Sequence, residues 1–132
     1  MNENTFTATF GLVPGYFVSQ QPDADIRAFA ILWQEAMQAE LKQSGITVSV
    51  VLHETRTVYP VSYGCAPGGD TTITVGGIFN AAYYMLEPGL LNDKLARWRE
   101  AVLRVITYVK QALHQETVTV VFSDSHVHYM KA

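Results

Sequence analysis

Charge is scarce in this chain. Asp, Glu, Lys and Arg make up 16% of its 132 residues, and nine basic side chains face twelve acidic ones for a formal charge of −3. Nucleic-acid binders draw much of their affinity from a basic patch, and no run of Lys and Arg is present. The nearest approach is Lys94, Arg97, Arg99, Arg104 and Lys110, strung along one stretch with apolar residues between them, as on a solvated helix face. A nucleic-acid partner is therefore not expected. Cysteine is almost missing as well. The single Cys65 cannot close an internal disulfide, which fits a reducing compartment. No apolar run approaches the roughly 20 residues that cross a bilayer. The opening MNENTFTATF has neither the basic nor the apolar region of a secretory signal. These absences point to a cytoplasmic protein without a membrane partner. Repeats, low-complexity tracts and linkers are lacking too, and at this length one domain over residues 1–132 is expected.

What is present is apolar and periodic. Hydrophobic residues make up 48% of the chain, enough for a core that needs neither metal nor disulfide to fold. From Thr5 to Leu12 the sequence alternates, with Phe6, Ala8, Phe10 and Leu12 on one side and threonines on the other, the pattern of a half-buried strand. Residues 23–43 carry Ile26, Phe29, Trp33, Met37 and Leu41 at helical spacing. Asp23 is placed to cap this helix, and Ser44-Gly45 to stop it. Ile46 to about Tyr59 is β-branched, with Ile46, Val48, Val50 and Leu52 inward. The alternation blurs at His53, predicting a bulge or a strand that outruns the main sheet. After the connection PVSYGCAPGGD, Thr71 to Val75 is a short strand. A second helix starts near Asn92 or Asp93 and runs to about His114, with the stripe Leu95, Trp98, Val102, Ile106, Val109 and Leu113. Thr117 to Phe122 is a last strand that could continue to Tyr129. Trp33 and Trp98 are both expected in the core.

The order strand, helix, strand, strand, helix, strand resembles the ferredoxin-like, or split βαβ, superfold over nearly the whole chain. The resemblance implies an α+β domain, with two helices on one face of a four-stranded antiparallel sheet of order 4-1-3-2. The first and third strands are expected at its centre and parallel to each other. In that arrangement the loops leaving strands one and three meet at one end, beside both helix N-termini. The hairpin between strands two and three, and the end of strand four, meet at the other. Such a superfold hosts unrelated functions and fixes none.

Two candidate sites follow. At the first end considered, Asp124, His126 and His128 share a face of an unbroken strand. They could ligate Zn²⁺ or a similar ion, or serve as acid and base near neutral pH. The loop with Cys65, Gly68, Gly69 and Asp70 would open beside them, and Cys65 could act as a nucleophile with either histidine as base. Against this, the three polar residues would be in phase with Val118, Val120 and Phe122. A phase change at Ser123-Asp124-Ser125 would instead turn Val127 and Tyr129 inward and both histidines to solvent. His53, three strand positions away at roughly 14 Å, is not expected to join them, and His114 suits the C-terminal end of a helix dipole. The glycine loop matches neither phosphate-binding signature.

At the other end, Tyr16 and Phe17 after strand one, and Phe79, Tyr83, Tyr84 and Met85 after strand three, could line a small-ligand pocket, cap the core, or form a subunit interface. With no strong catalytic motif and no nucleotide fingerprint, the expected function is a non-enzymatic module that binds a small ligand or a protein. No cofactor is expected. It would act as a homodimer, since the aromatic loops and the long strand two both call for cover. The alternative is a small enzyme, a metal-dependent hydrolase or an acid–base isomerase, built on Asp124, His126 and His128.

Overall fold

The computed structural model describes residues 4–11, 22–63, 67–79, 91–115 and 118–124. Strand β1 (Thr5–Gly11) leads to helix α1 (Pro22–Ser44). Strand β2 (Val51–Thr57), a single 3₁₀ turn (Val61–Tyr63) and strand β3 (Asp70–Ile78) form a hairpin. Helix α2 (Leu91–Ala112) and strand β4 (Thr119–Ser123) follow. The strands make one sheet in the order β2-β3-β1-β4, which is the expected 4-1-3-2 read from the other edge.

Both helices pack on one face of the sheet. Phe6, Ala8 and Phe10 of β1 and Ile73 and Val75 of β3 point into that face. They meet Phe29, Trp33 and Ala36 of α1 and Leu95, Trp98, Val102, Val105 and Val109 of α2, all buried. Aromatic rings run through this layer: Phe10 stands edge-on to Phe29 at 5.1 Å, Trp33 stacks on Phe6 at 6.4 Å, and Phe6 meets Trp98 at 5.9 Å. Such contacts add to what area burial alone contributes. Opposite Phe6 in the register is Gly77, and the Phe6 ring lies where a side chain at Gly77 would begin. The bulk of one strand fills the hollow left by the other.

The helix boundaries fall close to those read from periodicity. Gly45 takes a positive φ of 77° and donates its N–H to Leu41 O at 2.9 Å, closing α1 as a glycine stop should. The stripe of α1 turns slightly from the expected line: Leu41 is at the surface and Glu40 is buried in its place. Strand β2 begins later than expected. Ile46 and Val48 are buried but precede the paired segment, with Trp33 Nε1 donating to Val48 O at 3.0 Å. No bulge occurs at His53, since Val51 through Thr57 pair residue for residue with β3. The other expected outcome is found instead: the hairpin outruns the sheet, because Gly11 faces Thr72 while pairing with β2 continues to Asp70.

The direction of β3 corrects the expected arrangement of the ends. β3 is antiparallel to β1. Helix α1 carries the chain back, so β2 enters the sheet in the direction of β1, and the tight hairpin then reverses β3. The exit of β1 at Gly11 therefore lies at the same end as the β2–β3 hairpin. The exit of β3 at Ile78 lies at the opposite end, beside Thr5 and Ser123. The helix starts are likewise at opposite ends: Phe29 packs on Phe10, and Trp98 on Phe79 at 5.7 Å. Among the described residues, no helix is long and apolar enough to cross a membrane.

Candidate functional site

The reversed β3 re-sorts the sequence candidates. Asp124 is exposed and lies just past the end of β4, so the strand stops before it instead of carrying it onto the core face. His126, His128 and Cys65 lie outside the described residues. The hairpin that carries Cys65 springs from Thr57 and Asp70, at the end of the sheet away from Asp124. Cys65 and the Asp124 segment thus start from opposite ends. Among the described residues, no three of His, Cys, Asp and Glu are grouped to hold a metal ion. His53 is exposed on edge strand β2, with β3 and β1 between it and β4.

Of the aromatic candidates, Phe79 is buried in the core against Trp98. Tyr16, Phe17, Tyr83 and Tyr84 lie outside the described residues. Their loops leave the sheet from Gly11 and from Ile78, at opposite ends. A depression of about 480 Å³ on α1 is lined by Ile31, Gln34, Glu35, Gln38, Ala39 and Lys42. All six come from one helix, so the depression has no second wall with which to enclose a ligand.

Three polar arrangements went unseen in the sequence. The first is an ion pair between the helices. Arg104 Nε donates to Glu40 Oε1 at 2.8 Å and Nη2 to Oε2 at 3.0 Å, a two-pronged fork. The Glu40 side chain is 3% exposed and that of Arg104 43%. The Arg104 fork holds the Glu40 carboxyl below the usual carboxylate range, against burial, which pushes it the other way, and with further help from Ser44. A Glu in the buried stripe four residues after Ala36 was the available signal.

The second is a clamp. Gln115 Oε1 accepts from Gly11 N at 3.2 Å, and its Nε2 donates to Gly11 O. The side-chain amide thus continues the ladder where β4 no longer faces β1. Gln115 is set there by the end of α2, where His114 N donates to Gln111 O and Gln115 N to Lys110 O. This is a Schellman stop with His114, φ 55°, in the position that glycine usually takes.

The third is a hydroxyl chain on the sheet face away from the helices. Thr9, Thr74, Thr55, Thr72 and Thr57 are linked in that order at 3.3, 2.9, 2.7 and 3.2 Å. The alternating threonines of β1, β2 and β3 were its signal. None of these hydroxyls titrates near neutral pH, so none is an acid or a base there in its own right.

The geometry alone does not name a reaction, and the comparisons with known proteins supply what it lacks. The family model described as SAM lyase matches residues 1–131. The chain belongs to the SAM lyase family. No curated protein matches it. Among solved structures, a phage SAM lyase in complex with S-methyl-5′-thioadenosine is similar, with a TM-score of 0.53 and 16% identity, covering 90% of this chain and 78% of its own. At that identity the likeness speaks for the fold. Membership of the SAM lyase family overturns the expectation of a non-enzymatic binding module and favours the enzyme alternative, although a lyase is neither the hydrolase nor the isomerase considered there.

Proposed function

We propose that this chain is a lyase acting on S-adenosylmethionine (SAM), breaking the bond between the sulfonium sulfur and Cγ of the methionine part and releasing S-methyl-5′-thioadenosine. The match of the SAM lyase model to residues 1–131 carries this reading. The ligand named with the phage relative supports it, because S-methyl-5′-thioadenosine keeps the adenosine and the methylated sulfur and lacks the aminobutyrate.

The chemistry explains why no acid–base motif stood out. A sulfonium leaves as a neutral thioether and needs no proton from the enzyme. The aminobutyrate fragment must close the balance itself. Either its carboxylate attacks Cγ and forms a lactone, or a Cβ proton is lost and an alkene forms. The protein then has two tasks: to hold the methionine part in the reactive conformation and to bind a cation whose charge is lost as the bond breaks, so that contacts to the sulfonium serve binding and not rate. Aromatic rings suit both adenine, by stacking, and a sulfonium, by cation–π attraction. Tyr16, Phe17, Tyr83 and Tyr84 are the aromatic candidates for this work, and Asp124, His126 and His128 are the candidates for taking a proton in the alkene route. The net charge of −3 favours a cationic substrate.

The test is to incubate the purified protein with SAM and follow the products by liquid chromatography and mass spectrometry beside a boiled control. S-methyl-5′-thioadenosine should accumulate with turnover. S-adenosylhomocysteine or free adenine as the main product, or no excess over the boiled control, would overturn the assignment. Alanine at Tyr16, Phe17, Tyr83 or Tyr84 is expected to raise KM about tenfold at one position or more. Unchanged KM at all four would remove them from the site.

A further inference from the structure

We infer that Gln115 is a positioning residue for the lyase reaction proposed above, on which this role rests. Its side-chain amide grips the last residue of β1 and so fixes the point from which the chain leaves the sheet toward Tyr16 and Phe17.

Strand β1 outruns β4. The β1–β4 register ends at Thr9 and Thr119, whereas β1 pairs with β3 as far as Gly11 and Thr72. Strand ends are where a sheet opens first, and Gly11 is such an end. The Gln115 amide takes the place of a neighbouring strand there. It accepts from Gly11 N at 3.2 Å and donates to Gly11 O. Gly11 thereby has Gln115 on one side and Thr72 on the other. Thr72 is buried, and its hydroxyl bonds to those of Thr55 and Thr57 at 2.7 and 3.2 Å. A continuous row therefore braces this end of the sheet, from the end of α2 across β1 and β3 to β2.

The two residues of the clamp are matched. A planar amide presents one acceptor and one donor side by side, whereas a carboxylate only accepts. A Cβ at position 11 would come within 3.2 Å of Gln115 Nε2, so the close approach favours glycine. Gln115 is itself held. Its N–H bonds to Lys110 O at 3.0 Å in the Schellman stop of α2, and His114 takes a φ of 55° to make that turn. The side chain thus starts from a fixed backbone, the condition for placing a neighbour accurately. The brace stands where the chain departs for Tyr16 and Phe17, five and six positions on. Both rings are candidates for stacking on adenine or meeting the sulfonium. Such contacts act on the bound substrate, so displacing the rings shows in KM and not in kcat.

Kinetics with SAM, followed as S-methyl-5′-thioadenosine released, test the role. Gln115→Ala should raise KM about fivefold or more while kcat stays within about twofold of wild type, with an unchanged circular dichroism spectrum. Gln115→Glu has nearly the same shape and keeps an acceptor but loses the donor. It should raise KM as well, and it carries the test if the alanine variant does not fold. Arg104→Met breaks the fork between the helices and controls for lost stability; its KM should stay within about twofold of wild type. In a Tyr16→Ala/Phe17→Ala background, Gln115→Ala should add little to KM, because the rings it serves are gone. In a Tyr83→Ala/Tyr84→Ala background its effect should persist in full. A wild-type KM in the folded Gln115 variants, an equal rise in Arg104→Met, or a full effect of Gln115→Ala without Tyr16 and Phe17 would each overturn the positioning role and leave the lyase reading standing. No S-methyl-5′-thioadenosine from the wild-type chain would overturn that reading, and the positioning role with it.

Discussion

Removing the two halves of the Glu40–Arg104 fork should have unequal effects. Glu40 is the buried partner and Arg104 the half-exposed one. Arg104→Met leaves a buried carboxylate without the two guanidinium donors, with Ser44 alone beside it. A fully buried pair broken in this way loses about 3–5 kcal/mol. Water can enter beside the half-exposed Arg104 position, so about 2–3 kcal/mol is expected here. Glu40→Met leaves a guanidinium that can turn to solvent, for a loss of about 1 kcal/mol. The double variant buries two apolar side chains in place of the pair and should lie close to wild type, giving a coupling of about 3–4 kcal/mol. Urea titrations at pH 7 measure all four corners.

The sign with pH is also fixed. The folded-state pKa of Glu40 lies below its ordinary value. Its contribution is therefore complete above the unfolded value of about 4.3 and is lost as pH falls through the lowered one. In Arg104→Met the stranded carboxyl favours its proton instead, so the gap between this variant and wild type should shrink in acid. A loss under about 0.5 kcal/mol for Arg104→Met, a larger loss for Glu40→Met than for Arg104→Met, or a gap that widens in acid would refute the reasoning.

Two further stability tests probe backbone features. Gly77→Ala drives a methyl into the Phe6 ring, which Trp33 and Trp98 hold in place. It should cost about 1–3 kcal/mol, and an unchanged urea midpoint would show that the ring can move. His114→Gly removes a side chain from the left-handed position that ends α2, and should stabilise the fold by about 0.5–1 kcal/mol. A lower melting temperature would mean that the imidazole has a role the Schellman stop does not explain.

The sheet order and the helix layer were legible because they rest on periodicity. The stripes through Trp33 and Trp98 and the alternation from Phe6 to Phe10 state which faces are buried, and the structure buries them. Direction was not legible in the same way. Whether β3 runs with or against β1 is decided by the connections between strands, and neglecting the hairpin reversal assigned the loops to the wrong ends. Glu40 was hidden because its stripe neighbours Met37 and Leu41 are apolar and suggested a line one position away. The reaction was hidden for a chemical reason. On the proposed reaction, the substrate carries its own leaving group and places little demand on nucleophiles, metals or paired carboxylates, the signatures sought in Cys65, Asp124, His126 and His128.

The position of β1 has a consequence for synthesis. β1 is made before both of its neighbours, β3 and β4, and Thr5 bonds to Ser123 across 118 positions of sequence. At ribosomal rates of 5–20 residues per second, roughly 6 to 24 s separate the two ends of that contact. Throughout that interval Phe6, Ala8 and Phe10 wait beside the nascent chain without their full complement of partners. The threonines between them keep this waiting segment half polar, and so less prone to associate with a neighbouring nascent chain.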